Sequence, residues 1–94
     1  MTYSEIDSIL IPWLRKKGYQ LQTQDREQEV RLFQIWNADH KRTAQVGFAV
    51  VDENRIELCV FDGERRRRQL VCTPTELPQC LDTAEELAKQ WIGS

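Results

Sequence analysis

The chain has 94 residues, 40% of them hydrophobic, with three Trp, three Phe and two Tyr. That is the size and make-up of one α+β-sized domain with its own core, and it excludes a disordered chain or a miniprotein that needs staples. Thirteen bases against 15 acids leave a net charge of −2, too weak a field for generic nucleic-acid affinity.

In chain order, Thr2 and Glu5 have the spacing of a capping box. Tyr3, Ile6, Leu10, Trp13 and Leu14 recur at helical intervals. Arg15, Lys16 and Lys17 complement the dipole of a last turn, and Gly18 suits the left-handed residue after it. The pattern predicts an amphipathic helix over 3–17. Pro12 removes a backbone bond and crowds the preceding turn, so a kink there or an end near Ile11 is expected. Residues 19–23 alternate apolar and polar and read as an edge strand. Further strands are expected over 29–36, 43–51, 55–61 and 65–72. A charged turn at 24–28, Asn37-Ala38-Asp39-His40 and Asp52-Glu53-Asn54 separate them. Asp62-Gly63 carries the chemistry of a type I′ hairpin. Thr73-Pro74-Thr75-Glu76 combines an N-cap, a proline at the first helical position and a glutamate at the third. Pro78 can restart the helix one turn on. Leu77, Leu81, Ala84, Leu87, Ala88, Trp91 and Ile92 then trace one apolar face. The expected fold is α+β, in the order α-β-β-β-β-β-α. A five-stranded antiparallel meander carries the N- and C-terminal helices on one face, as a single domain over 1–94.

The first residues carry acids where a signal peptide needs bases, and Ile9-Leu10-Ile11 is far too short to span a membrane. Cys59, Cys72 and Cys80 form an odd set without repeated spacing, which points to free thiols in a reducing, cytoplasmic setting rather than a secreted framework.

Strand alternation sorts the sheet into two faces. Val30, Leu32, Trp36, Ala44, Val46, Phe48, Val50, Ile56, Leu58, Val60 and Leu70 fall on the side expected under the helices. Phe33, Ile35, Gly47, Ala49, Val51, Cys59, Phe61 and Val71 fall on the other, ringed by Arg31, Gln45, Glu57, Arg65, Arg67 and Gln69. An apolar centre with a polar rim is the layout of an interface. A covering loop, or one strand in another register, is the alternative account.

Glu64-Arg65-Arg66-Arg67-Arg68 is the one unusual run. Its arginines alternate between faces, and they serve as a solvated, salt-paired edge, a contact for an acidic protein, or a phosphate clamp assisted by Phe61, Trp36 and Tyr19. His40 lies in a turn with no nucleophile in view, and no glycine-rich phosphate loop or nucleophile elbow occurs. Glu85 is placed on the solvent side of the last helix, paired with Lys89. Cys59, Cys72, Cys80 and His40 lack metal-ligand spacing. No cofactor is expected, and no catalytic constellation.

Residues 43–92, strands followed by a C-terminal helix, resemble the single-strand-binding transcriptional coactivator fold, which would imply nucleic-acid binding. In size and charge the chain is similar to secretion chaperones and toxin-immunity proteins, which would imply a protein partner. Neither resemblance carries over a site residue. The reading expected first is a non-enzymatic protein-interaction module, homodimeric, with Phe33, Ile35, Cys59, Phe61 and Val71 as the interface and Arg65, Arg66, Arg67 and Arg68 as a charged contact edge. The alternative is a single-stranded nucleic-acid binder using Arg65 to Arg68.

Overall fold

The computed structural model describes residues 3–22, 31–63 and 66–93. The Thr2 half of the first capping box, the turn at 24–28, Val30, Glu64 and Arg65 lie outside them. Helix α1 spans Tyr3–Lys17 and helix α2 spans Leu77–Ile92. Between them run β1 (Leu21–Gln22), β2 (Arg31–Trp36), β3 (Thr43–Asp52), β4 (Arg55–Phe61) and β5 (Arg67–Cys72), neighbours in sequence order and antiparallel throughout.

Only β2 to β5 are full strands, of six to ten residues. The expected fifth strand over 19–23 shrinks to the two-residue rung β1, so the sheet is a four-stranded meander with a short pairing at one edge. The reason is the helix exit. The Tyr19 N–H donates to the Leu14 carbonyl at 3.0 Å, which holds it to the end of α1 instead of to a neighbouring strand. Gly18 makes that exit possible at φ 83°, a conformation that costs glycine little.

Pro12 neither ends α1 nor interrupts its assigned length. It sits at an exposed position, while Ile6, Leu10 and Leu14 on the other side are buried. The second capping box forms as bonds but not as a helix start. The Thr73 N–H donates to Glu76 Oε1 at 3.1 Å and the Glu76 N–H donates to the Thr73 carbonyl at 3.0 Å. These bonds close a turn, and α2 begins at Leu77 with Pro78 in its first turn. The Asp62-Gly63 connection is longer than a two-residue turn, because Phe61 pairs with Arg67 and the Asp62 N–H donates to the Arg66 carbonyl at 3.3 Å.

Both helices pack on one face of the sheet. Ile6, Leu10 and Leu14 of α1 and Leu77, Leu81, Ala84, Ala88 and Ile92 of α2 meet Phe33, Ile35, Ala44, Val46, Ile56, Leu58 and Val60. An aromatic chain stiffens this core: Phe33 lies 5.6 Å from Trp13, 5.5 Å from Tyr19 and 5.9 Å from Phe48, centroid to centroid. The two helices are tied by Trp13 Nε1, which donates to Asp82 Oδ1 at 3.0 Å.

Candidate interaction surface

The register of β2 corrects the expected division of faces. Phe33 stands opposite Val46 and Ile35 opposite Ala44, and cross-strand partners share a face. Both are buried, at 0% and 1% exposure, beneath the helices. They therefore leave the proposed interface, and Leu32 and Trp36 take their places on the open side. Arg31 moves too. It belongs to the helix side, where its Nε donates to Asp7 Oδ1 at 3.0 Å and its Nη2 to Asp7 Oδ2 at 3.2 Å. Partly buried bidentate pairing of this kind fixes geometry as well as charge.

What remains on the open face is built in rungs. Leu32, Gly47, Cys59 and Gln69 form one, and Gln34, Gln45, Phe61 and Arg67 the next. Ala49, Glu57 and Val71 form a third on the other side of the first. Of the residues expected at the interface, Cys59, Phe61 and Val71 are thus on this face. Phe61 is 38% exposed and Val71 58%. Gly47 has no side chain to fill the middle, so Leu32, Gln45, Cys59, Phe61 and Arg67 surround a shallow hollow of about 250 Å³. Backbone crowding does not demand the glycine. A Cβ there would meet only the Arg31 carbonyl oxygen, at 3.9 Å, an ordinary contact.

The described arginines, Arg66 to Arg68, alternate between the faces, and Arg65 lies outside the described residues. Arg66 Nη1 donates to the Trp91 carbonyl on the helix side at 3.3 Å, and its Nε lies 4.0 Å from Asp62 Oδ2. Arg67, on the open face, donates from Nε to Cys59 Sγ at 3.2 Å. Arg68 is exposed on the helix side, and its side chain makes no hydrogen bond or ion pair among the described residues. Of the stacking candidates, Trp36 and Phe61 are exposed on the open face, whereas Tyr19 is spent inside the molecule.

Two polar residues escaped the reading of the sequence. Glu85, expected in solvent, is 7% exposed. It accepts from the Tyr19 hydroxyl at 2.7 Å, and its Oε1 lies 3.2 Å from Lys17 Nζ and its Oε2 3.9 Å from Lys89 Nζ. Burial, reinforced by Glu85, holds the Tyr19 phenol well above its ordinary value. Asn37 is equally buried. Its Nδ2 donates to the Ile92 carbonyl at 3.4 Å, while its Oδ1 accepts from the Lys41 and Arg42 N–H groups at 3.0 and 3.1 Å. The spacing of Glu85 to Lys89 was visible in the sequence, but the hydrogen bond from the Tyr19 hydroxyl was not. His40 sits exposed in the same turn as Asn37, at φ 57° and with its ring 6.1 Å from that of Trp36.

Among the described residues no cluster of three or more His, Cys, Asp or Glu could hold a metal ion, and no helix is long and apolar enough to cross a membrane. No family model matches the sequence. No curated protein and no solved structure is significantly similar to it.

Proposed function

We propose that this chain is a non-enzymatic protein-interaction module that pairs with a second copy of itself through the open face of the sheet. One observation carries the reading. Among the described residues, the large hydrophobic side chains left exposed, Trp36, Val51, Phe61 and Val71, all belong to strands, and none to the helices. Trp36, Phe61 and Val71 project away from the helices, and a sheet face in water should be mostly polar.

A second copy is favoured because the face holds its own complements. The Phe61 ring stands at the rim of the Gly47 hollow. Glu57 and Arg67 lie on opposite sides of the Gly47–Cys59 rung. A two-fold contact sets one patch against itself in reversed order, so it needs a knob with a hollow and an acid with a base on one surface. The three free thiols support a reducing, cytoplasmic setting.

The test is the solution mass by light scattering on a size-exclusion column, at low and high salt. The wild type is expected to be a dimer and Phe61→Glu a folded monomer. Gly47→Val is expected to fill the hollow and weaken the dimer while leaving the melting temperature of the subunit equal or higher, since β-branched residues suit strand interiors better than glycine. A monomeric wild type, or a Phe61→Glu variant that stays dimeric, removes this face from the interface.

A further inference from the structure

The free edge of β5 has a definite hydrogen-bond phase. In an antiparallel pair, residues alternate between those that bond their neighbour and those whose N–H and C=O point away. The Asp62 N–H donates to the Arg66 carbonyl, and the same register continues through Val60 opposite Arg68, Leu58 opposite Leu70 and Ile56 opposite Cys72. Those β5 residues face β4. Arg67, Gln69 and Val71 therefore turn their N–H and C=O outward, where no described residue meets them. Six aligned backbone groups stand ready for one more strand.

Native edges are blunted by proline, bulges or charge. Among these, β5 has only charge, and only at one end. Its pairing with β4 runs without a register shift, it holds no proline, and its other end exposes Val71. Arg67 and Arg68 meet no acid in an ion pair among the described residues, in a chain that is acidic overall. Beside the apolar end, a groove of about 280 Å³ runs between β5 and α2, lined by Leu70, Cys72, Glu76, Gln79 and Cys80.

We propose that β5 binds an acidic extended segment of another protein as an added antiparallel strand. Charge complementarity selects an acidic occupant, and antiparallel pairing then sets the order of its residues. The residue opposite Leu70 lies over the groove and is apolar. Acids two and three positions after it fall opposite Arg68 and Arg67, one on each face of the sheet. The added strand uses the edge and leaves the open face uncovered, so this reading does not depend on self-association.

The probe is a fluorescein-labelled peptide containing Val-Leu-Thr-Glu-Glu, measured by anisotropy with the full chain. It is expected to bind, more weakly as salt rises, and a Val-Leu-Thr-Lys-Lys version is expected to bind at least about tenfold more weakly. N-methylation at the peptide Thr, whose N–H meets Gln69, should abolish binding, whereas N-methylation at its Leu, whose N–H faces away, should not. Gln69→Pro should also cost about tenfold or more while the fold is retained by circular dichroism, because proline at an edge position deletes an outward donor and no bond to β4. Failure of the acidic peptide to bind at low salt overturns the proposal. So does equal binding of the two methylated peptides, or tighter binding of an oligothymidine, which would mark the edge as a phosphate site.

Discussion

Asn37 occupies one turn position and fastens two ends of the molecule. Its side chain bonds the β2–β3 turn through Lys41 and Arg42 and the end of α2 through Ile92. Asn37→Ala deletes these bonds, leaving the Lys41 N–H to Asp39 Oδ1 alone, and is expected to cost about 2 kcal/mol. For a chain of this size that is a fall in melting temperature of roughly 8–16 °C, read by calorimetry. Titrating side chains make a second prediction at this scale. Burial pushes the Cys72 thiol up to about 12 and raises the Cys80 thiol beside it; burial and Glu85 raise the Tyr19 phenol. In the unfolded chain a thiol loses its proton near pH ~8.5 and a phenol near ~10. The folded state then holds more protons than the unfolded one, so these groups make stability fall as pH rises above ~8.5 and add no slope below it. Denaturant melts between pH ~7 and ~11 should show this slope, and Cys72→Ala and Tyr19→Phe should each flatten it.

At the scale of elements, α1 keeps the full length its pattern predicts despite Pro12, whereas β2 buries the side opposite to the one expected. Proline in a helix costs up to about 3 kcal/mol through a lost bond and a clash. In α1 that cost is offset by burial of Ile6, Leu10 and Leu14, which a helix ending at Ile11 would forfeit in part. Pro12→Ala is therefore expected to stabilise the protein by about 1–3 kcal/mol, measured by chemical denaturation with the oligomeric state held constant. An unchanged midpoint would mean that the helix has already relaxed around the ring. In β2 the segment Leu32-Phe33-Gln34-Ile35-Trp36 is apolar at both parities, so alternation cannot choose its face. The choice falls to partners far away in sequence: Trp13, Tyr19 and Phe48 around Phe33, and Asp7 beside Arg31. The opposite phase would put Arg31 on the open side and strand Asp7.

At the scale of the whole molecule, the two proposed surfaces differ in what made them legible. The β5 edge was visible early, because an arginine run is local and alternates in any strand. The open face was read half correctly. Cys59, Phe61 and Val71 lie in strands whose two sides differ clearly in polarity, whereas Phe33 and Ile35 were lost with the phase of β2. Gly47 stood in the sequence as a strand glycine, yet its hollow exists only where Leu32 and Phe61 flank it. The sequence by itself determined the two helices, the positions of β2 to β5 and their antiparallel sense, since periodicity, turn chemistry and short connections act over a few residues. The tertiary structure alone decided which side of β2 is buried, that Tyr19 follows the helix exit instead of a strand, and that Glu85 is buried against the Tyr19 hydroxyl. Each of those outcomes is a contest between nearly equal local options, settled by packing and hydrogen bonds to groups distant along the chain.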